Sequence, residues 1–115
     1  MKKMYYLSTC STCKRIIQDL DLDDSFELQD IKTNTITEEQ INQMAKLSGS
    51  FESLFSRRAI KFKSMGLAEK SLVESDYKKL ILDEYTFLKR PVTIIGDQIF
   101  IGNSKTAVEA TAKAL

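Results

Sequence analysis

The chain has 115 residues, 43% of them hydrophobic and 29% charged, and 17 basic against 16 acidic residues leave a net charge of +1. That length is one domain with an ordinary core, which excludes a second catalytic module and a disordered chain. The balanced charge excludes a global pull toward nucleic acid or an anionic membrane, so neither direct nucleic-acid binding nor a membrane partner is expected and any basic patch must be local. There is no histidine, which removes His-based triads, Cys-His pairs and His-ligated metal sites together.

A chain of this size buries roughly two-thirds of its extended surface and needs no disulfide or structural metal to hold it. Cys10 and Cys13, the only cysteines, are therefore free for chemistry. Two cysteines so close together are not a secreted disulfide framework. The start Met1-Lys2-Lys3 is followed by an apolar stretch too short for a signal peptide, because Ser8, Thr9, Ser11, Lys14 and Arg15 interrupt it. No window approaches the ~18 apolar residues of a membrane span. The expected location is the cytoplasm.

In chain order, residues 3–7 read as a buried strand, then a polar turn Ser8-Thr9-Cys10-Ser11, then a helical stripe at Cys13, Ile16, Ile17 and Leu20. Residues 26–31 read as a second strand, so the opening is a βαβ unit with parallel strands. Thr37 and Gln40 have capping-box spacing ahead of a helix with Ile41, Met44 and Ala45 on one face and Gly49 as its stop. Residues 50–54 suggest a helical turn and 62–67 another, ending near Gly66. Tyr77, Leu80, Ile81 and Tyr85 predict a third helix behind Ser75 and Asp76. After Pro91 the period returns to strands, residues 91–95 and 98–101 joined by Gly96-Asp97 as a hairpin. Ser104 caps a last helix with Ala107, Val108, Thr111 and Leu115 on its face. The expectation is an α/β protein, a single domain over residues 1–115 with a helical insertion at approximately 37–88 between a βαβ and a ββα unit.

Cys10-Ser11-Thr12-Cys13 falls where the first strand gives way to the first helix. Unpaired N–H groups and the positive end of the helix dipole favour a thiolate there. Cys10 is the expected nucleophile. Cys13, one turn on and sharing the apolar stripe, is the expected resolving thiol, since residues three apart on a helix can close a disulfide. A chance pair near a turn, or half of a zinc site, are the alternatives; zinc would need ligands that the chain supplies only as carboxylates. Arg57 and Arg58 stand between two helical segments and Arg90 precedes Pro91. Each basic group reads as a solvated face when taken alone. Pro91, opening a strand, is a place for a cis bond that would hold Arg90 beside another loop. Converging on a helix N-terminus, such guanidinium groups would bind an oxyanion or an anionic thiol such as glutathione. Ser11 and Thr12 join them as candidate anion contacts. The aromatic residues Phe26, Phe51, Phe55, Phe62, Tyr85 and Phe100 are expected in the core, with no site role.

The segments Tyr6-Leu7-Ser8-Thr9-Cys10-Ser11-Thr12-Cys13-Lys14-Arg15, Ser53-Leu54-Phe55-Ser56-Arg57-Arg58, Met65-Gly66-Leu67, Leu88-Lys89-Arg90-Pro91 and Ile101-Gly102-Asn103 resemble the glutaredoxin-coupled arsenate reductase (ArsC) family, which includes the Spx regulators. The resemblance implies a thioredoxin-like fold with a helical insertion, a cis Pro91, and a thiol-dependent oxidoreductase. It implies that Cys10 attacks an oxyanion or disulfide, with glutathione and glutaredoxin, or another thiol reductant, as electron donor, a small anionic substrate, and no bound cofactor or metal. By position Arg90 matches the oxyanion-binding arginine. The middle arginine of the reductases falls on Ser56 and that of the Spx-like branch on Arg58, with Arg57 beside it. Ile101-Gly102-Asn103 lacks the third arginine of the reductases and, with Cys13, resembles the Spx-like branch. In that branch the implied function is a redox-sensing transcriptional regulator that binds RNA polymerase.

Overall fold

Continuously buried strand residues at the start of the chain and again after Pro91 build the centre of the sheet. The computed structural model describes all residues, 1–115, and they divide into two compact units, Met1–Thr35 with Arg90–Leu115, and Ile36–Lys89. In the first unit β1 (Lys2–Tyr6), β2 (Glu27–Asp30), β3 (Val92–Ile95) and β4 (Gln98–Ile101) form one sheet in the order β2-β1-β3-β4. β1 and β2 are parallel, with Met4 opposite Leu28. β3 is antiparallel to β1 and to β4, with Met4 opposite Thr93 and Ile94 opposite Ile99.

Between β1 and β2 runs α1 (Ser11–Leu20), which stops at Asp21 in the left-handed conformation at φ 49°, one that aspartate tolerates better than most residues. The acidic turn places Phe26 outside the strand, so β2 is shorter than the expected 26–31. α5 (Lys105–Ala114) follows the hairpin and packs on β4, and the Ser104 hydroxyl accepts the Ala107 N–H at 3.1 Å as its cap. Met4, Tyr5, Leu7, Cys13, Ile16, Ile31, Val92 and Ile94 are the buried hydrophobic residues of this unit's core. Lys3 is buried too, with its ammonium 3.3 Å from Glu27 and 4.9 Å from the Tyr5 ring centroid.

The second unit is helical. α2 (Glu38–Ser48) carries the reciprocal cap that the spacing predicts: Thr37 Oγ1 accepts the Gln40 N–H and Gln40 Oε1 accepts the Thr37 N–H. Gly49 ends it at φ 99°, a left-handed conformation open to glycine without strain. A 3-10 turn at Glu52–Leu54 follows, then α3 (Ile60–Ser64), which is shorter and earlier than the expected 62–67. A second 3-10 turn occupies Leu67–Glu69 after Gly66.

α4 (Glu74–Asp83) begins two residues before Asp76, which accepts the Val73 N–H at 2.9 Å rather than capping from outside. Tyr85 lies beyond α4, in a 3-10 turn at Tyr85–Phe87; its spacing matched the helix, but the chain leaves helical geometry at Glu84. Phe55 is fully buried, with ring centroids of Tyr77 and Phe87 each at 5.0 Å and Phe62 at 6.0 Å. Such offset and edge-on aromatic pairs add to the area they bury. Of the aromatic residues expected in the core, Phe55 alone is fully enclosed; Phe26, Phe51, Phe62, Tyr85 and Phe100 are half-buried.

Candidate active site

Cys10 is the residue at which extended backbone, φ −94° and ψ 110°, turns into α1. Its own N–H donates to the Leu7 carbonyl at 3.0 Å and its carbonyl accepts the Lys14 N–H at 3.2 Å. The preceding turn is tied down by Asp30 at the end of β2. One carboxylate oxygen accepts the Ser8 N–H at 3.1 Å and the Lys32 N–H at 3.2 Å, while the other accepts from the Thr33 hydroxyl. Those donors hold Asp30 below the usual carboxylate range, the Ser8 contact foremost. Asp30 is thus a positioning residue that sequence reasoning missed. An aspartate followed three residues later by Thr33 is a local turn signal, but the link back to Ser8 spans 22 residues.

The two thiols differ sharply. Cys10 is half-buried and Cys13 fully buried. Burial raises the Cys10 pKa, yet the N–H and thiol of Cys13, the N–H of Thr12 and the charge of Arg90 outweigh it, and the thiol ends below its ordinary 9.0. This is the expected chemistry of a sulfur at a helix N-terminus, where dipole and N–H groups favour the anion. Cys13 goes the other way, pushed up to about 11 by burial first and also by the hydrogen bond to Cys10 and its negative charge, against the Leu7 backbone and Arg90. One sulfur is shifted toward the anion and the other, beside it, toward the thiol.

Arg90 precedes Pro91 across a cis peptide bond, and the Pro91 carbonyl accepts the Gly102 N–H at 2.9 Å, fastening this loop to the end of β4. Its charge acts on both sulfurs. The fold therefore brings together Cys10, Cys13, the Thr12 backbone and Arg90, with Ser11 exposed as the first residue of α1. Lys14 and Arg15 follow on its exposed side.

Arg57 and Arg58 belong to the second unit. The Arg57 guanidinium donates to Glu52 at 2.8 Å and to the Tyr77 hydroxyl at 2.9 Å, and stands 5.6 Å from the Tyr77 ring. Arg58, next in the chain, is exposed. The structure has no cluster of three or more side chains able to hold a metal ion, and no helix long and apolar enough to cross a membrane.

A parallel βαβ unit, an antiparallel hairpin, a closing helix, and a half-buried and a buried thiol at the start of α1 together define a thiol protein of thioredoxin-like fold. The sequence model described as the ArsC family matches residues 5–111, and the chain belongs to that family. Among solved structures, the YFFB (PA3664) protein is similar at a TM-score of 0.81 and 23% identity, over 100% of this chain and 99% of that one. A protein described as a possible arsenate reductase from Streptococcus mutans is 25% identical with a TM-score of 0.72, over 96% of this chain and 97% of its own. An arsenate reductase from Vibrio cholerae shares the fold at 14% identity and a TM-score of 0.75, covering 99% and 97%. A search of curated proteins gave no significant match. Family and neighbours together support a thiol-dependent oxidoreductase.

Proposed function

We propose that this protein is a cytoplasmic reductase in which Cys10 attacks an oxyanion or a disulfide and Cys13 resolves the adduct, with glutathione and glutaredoxin, or another thiol reductant, restoring the pair. The observation that carries this reading is the opposite displacement of two neighbouring thiols, Cys10 toward the anion and Cys13 toward the protonated form. On a disulfide, Cys10 forms a new S–S bond as the old one breaks, and one thiolate leaves. On an oxyanion such as arsenate, a sulfur–arsenic bond replaces an arsenic–oxygen bond, and the oxygen leaves as water with protons from solvent.

Either adduct removes the negative charge of Cys10, and with it two of the influences that hold the proton on Cys13. Cys13 then loses its proton to solvent and attacks the Cys10 sulfur. The bond to the acceptor breaks with its electron pair left on the acceptor, which is reduced by two electrons while a Cys10–Cys13 disulfide forms. Two glutathione thiols, or a dithiol protein, reduce that disulfide. Arg90 serves as the planar cation for a bound anion, with Ser11 and Thr12 as further anion contacts.

A second reading, a redox-sensing regulator of the Spx type that binds RNA polymerase, is favoured by Ile101-Gly102-Asn103 standing where the reductases carry an arginine. The test is a coupled assay with glutathione, glutaredoxin and an NADPH-dependent reductase. Acceptor-dependent NADPH oxidation with arsenate or a disulfide, abolished in Cys10→Ser, is expected, since a serine hydroxyl is a far weaker nucleophile at neutral pH. No turnover with any acceptor, together with recovery of RNA polymerase by the oxidised protein, would replace the enzyme by the regulator.

A further inference from the structure

Leu7 is buried just past the end of β1, and the peptide groups on its two sides each join β2 or its end to one cysteine. On one side, the Tyr6 carbonyl accepts the Ile31 N–H at 2.9 Å, and the Leu7 N–H hydrogen-bonds to the Cys13 sulfur. On the other, the Ser8 N–H donates to the Asp30 carboxylate at 3.1 Å, and the Leu7 carbonyl accepts the Cys10 N–H at 3.0 Å. A trans peptide is rigid and planar, with its N–H and C=O on opposite edges. A partner on one edge therefore fixes the direction in which the other edge points.

The two links differ in what supplies them. Tyr6 pairs with Asp30 in parallel register, so the ladder would continue from the Ser8 N–H to the Ile31 carbonyl. The chain turns away instead, with the Asn34 N–H donating to the Asp30 carbonyl at 2.8 Å, and the Asp30 carboxylate takes the place of that acceptor. The Lys32 N–H and the Thr33 hydroxyl hold the carboxylate there, and the Gln29 side-chain amide ties the same turn at the Asn34 carbonyl. The link to Cys13 thus starts from a backbone N–H, and the link to Cys10 from a side chain. Asp30 is not among the leading influences on the Cys10 sulfur, so its contribution is an acceptor in a fixed place.

Resting on the reading of Cys10 as the attacking thiol, we infer that the Asp30 carboxylate positions Cys10 through the backbone: it orients the peptide plane between Leu7 and Ser8, and that plane holds the Cys10 N–H at the start of α1. Without Asp30 the plane is free to turn, and Cys10 loses its fixed place against the N–H groups of Thr12 and Cys13. Those contacts, with Arg90, outweigh burial in the intact site. A loosened Cys10 therefore behaves more like an ordinary thiol and reacts more slowly at neutral pH.

The test is the pH profile of Cys10 alkylation by iodoacetamide in Asp30→Ala, Asp30→Asn and Thr33→Val, with folding checked by urea unfolding. Asp30→Ala should move the profile to higher pH and lower the rate at neutral pH about fivefold, the worth of one ordinary hydrogen bond. Asp30→Asn keeps an oxygen for the Ser8 N–H and should recover most of the rate, although a neutral acceptor is weaker than a charged one. Thr33→Val leaves the Ser8 contact in place and should stay close to the parent. A parent-like profile in Asp30→Ala overturns the inference, as does an equal loss in Asp30→Asn or Thr33→Val. If Asp30→Ala does not fold, amide exchange in Asp30→Asn decides. The Ser8 and Cys10 N–H groups should lose protection together, and loss at Ser8 alone, or at neither, overturns the inference. A parent whose Cys10 reacts no faster at neutral pH than an unfolded-chain thiol overturns the reductase reading instead.

Discussion

The Cys13 thiol is a donor toward the Cys10 sulfur, and each changes the acidity of the other in the opposite sense. Replacing Cys13 by alanine removes that donor while leaving the Cys13 N–H in place. The Cys10 pKa should rise in Cys13→Ala, because one of the influences that lower it is gone while burial still raises it. Iodoacetamide labelling of Cys10 across a pH series reads this directly. In the parent, Cys10 should label first and Cys13 only after unfolding; preferential labelling of Cys13 would contradict the assignment of roles.

Arg90 should be separable into a charge and a shape. Arg90→Met takes away one of the influences that lower the Cys10 pKa, so its alkylation profile should move to higher pH. Arg90→Lys restores the charge and should return the profile most of the way, but it lacks the planar fork that binds an oxyanion in two places. Protection of Cys10 by sulfate or arsenate against alkylation should therefore weaken in both variants, while only Arg90→Met shifts the pH dependence. Equal protection in parent and variants would place Arg90 outside anion binding.

Two buried groups should cost stability at alkaline pH. Tyr5, 1% exposed, has its pKa raised from 10.0 to about 12 by burial and then by Glu27, and Cys13 rises from 9.0 to about 11. A group whose folded value lies above its unfolded one contributes stability that is complete below the unfolded value and is lost as pH rises to the folded one. Stability should thus fall from about pH 9 upward, Cys13 losing its share between 9.0 and about 11 and Tyr5 between 10.0 and about 12. Cys10, shifted the other way, contributes above its unfolded value and loses that share as pH falls through its folded one. Urea unfolding of Tyr5→Phe and Cys13→Ala between pH 8 and about 11.5 should give flatter alkaline slopes than the parent; parallel slopes would show that neither group titrates with unfolding.

Much of the site was legible before the fold because its logic is local. A polar turn followed by a stripe at Cys13, Ile16, Ile17 and Leu20 places Cys10 where α1 begins and turns Cys13 into the core, and both follow from helical periodicity alone. Thr37 with Gln40, Gly49 and Ser104 were readable for the same reason: a cap needs partners three or four residues away. The shift of α4 toward Val73 and the loss of Tyr85 from it were not, since Asp76 and Tyr85 fit helical spacing equally well inside or outside the helix.

What only the tertiary structure decided is which side chains meet across long stretches of chain. Arg57 and Arg58 are the same residue side by side, and nothing local tells them apart. The fold gives Arg57 the Glu52 carboxylate and the Tyr77 hydroxyl, the latter 20 residues away, and leaves Arg58 exposed. Likewise Asp30 reaches Ser8 because β1 and β2 lie parallel, and Arg90 acts on Cys10 although 80 residues separate them. Caps and periodicity are set by backbone geometry over a single turn, so the sequence by itself determined them. A charge acts through distance in space, and that distance exists only once β1, β2 and β3 have paired.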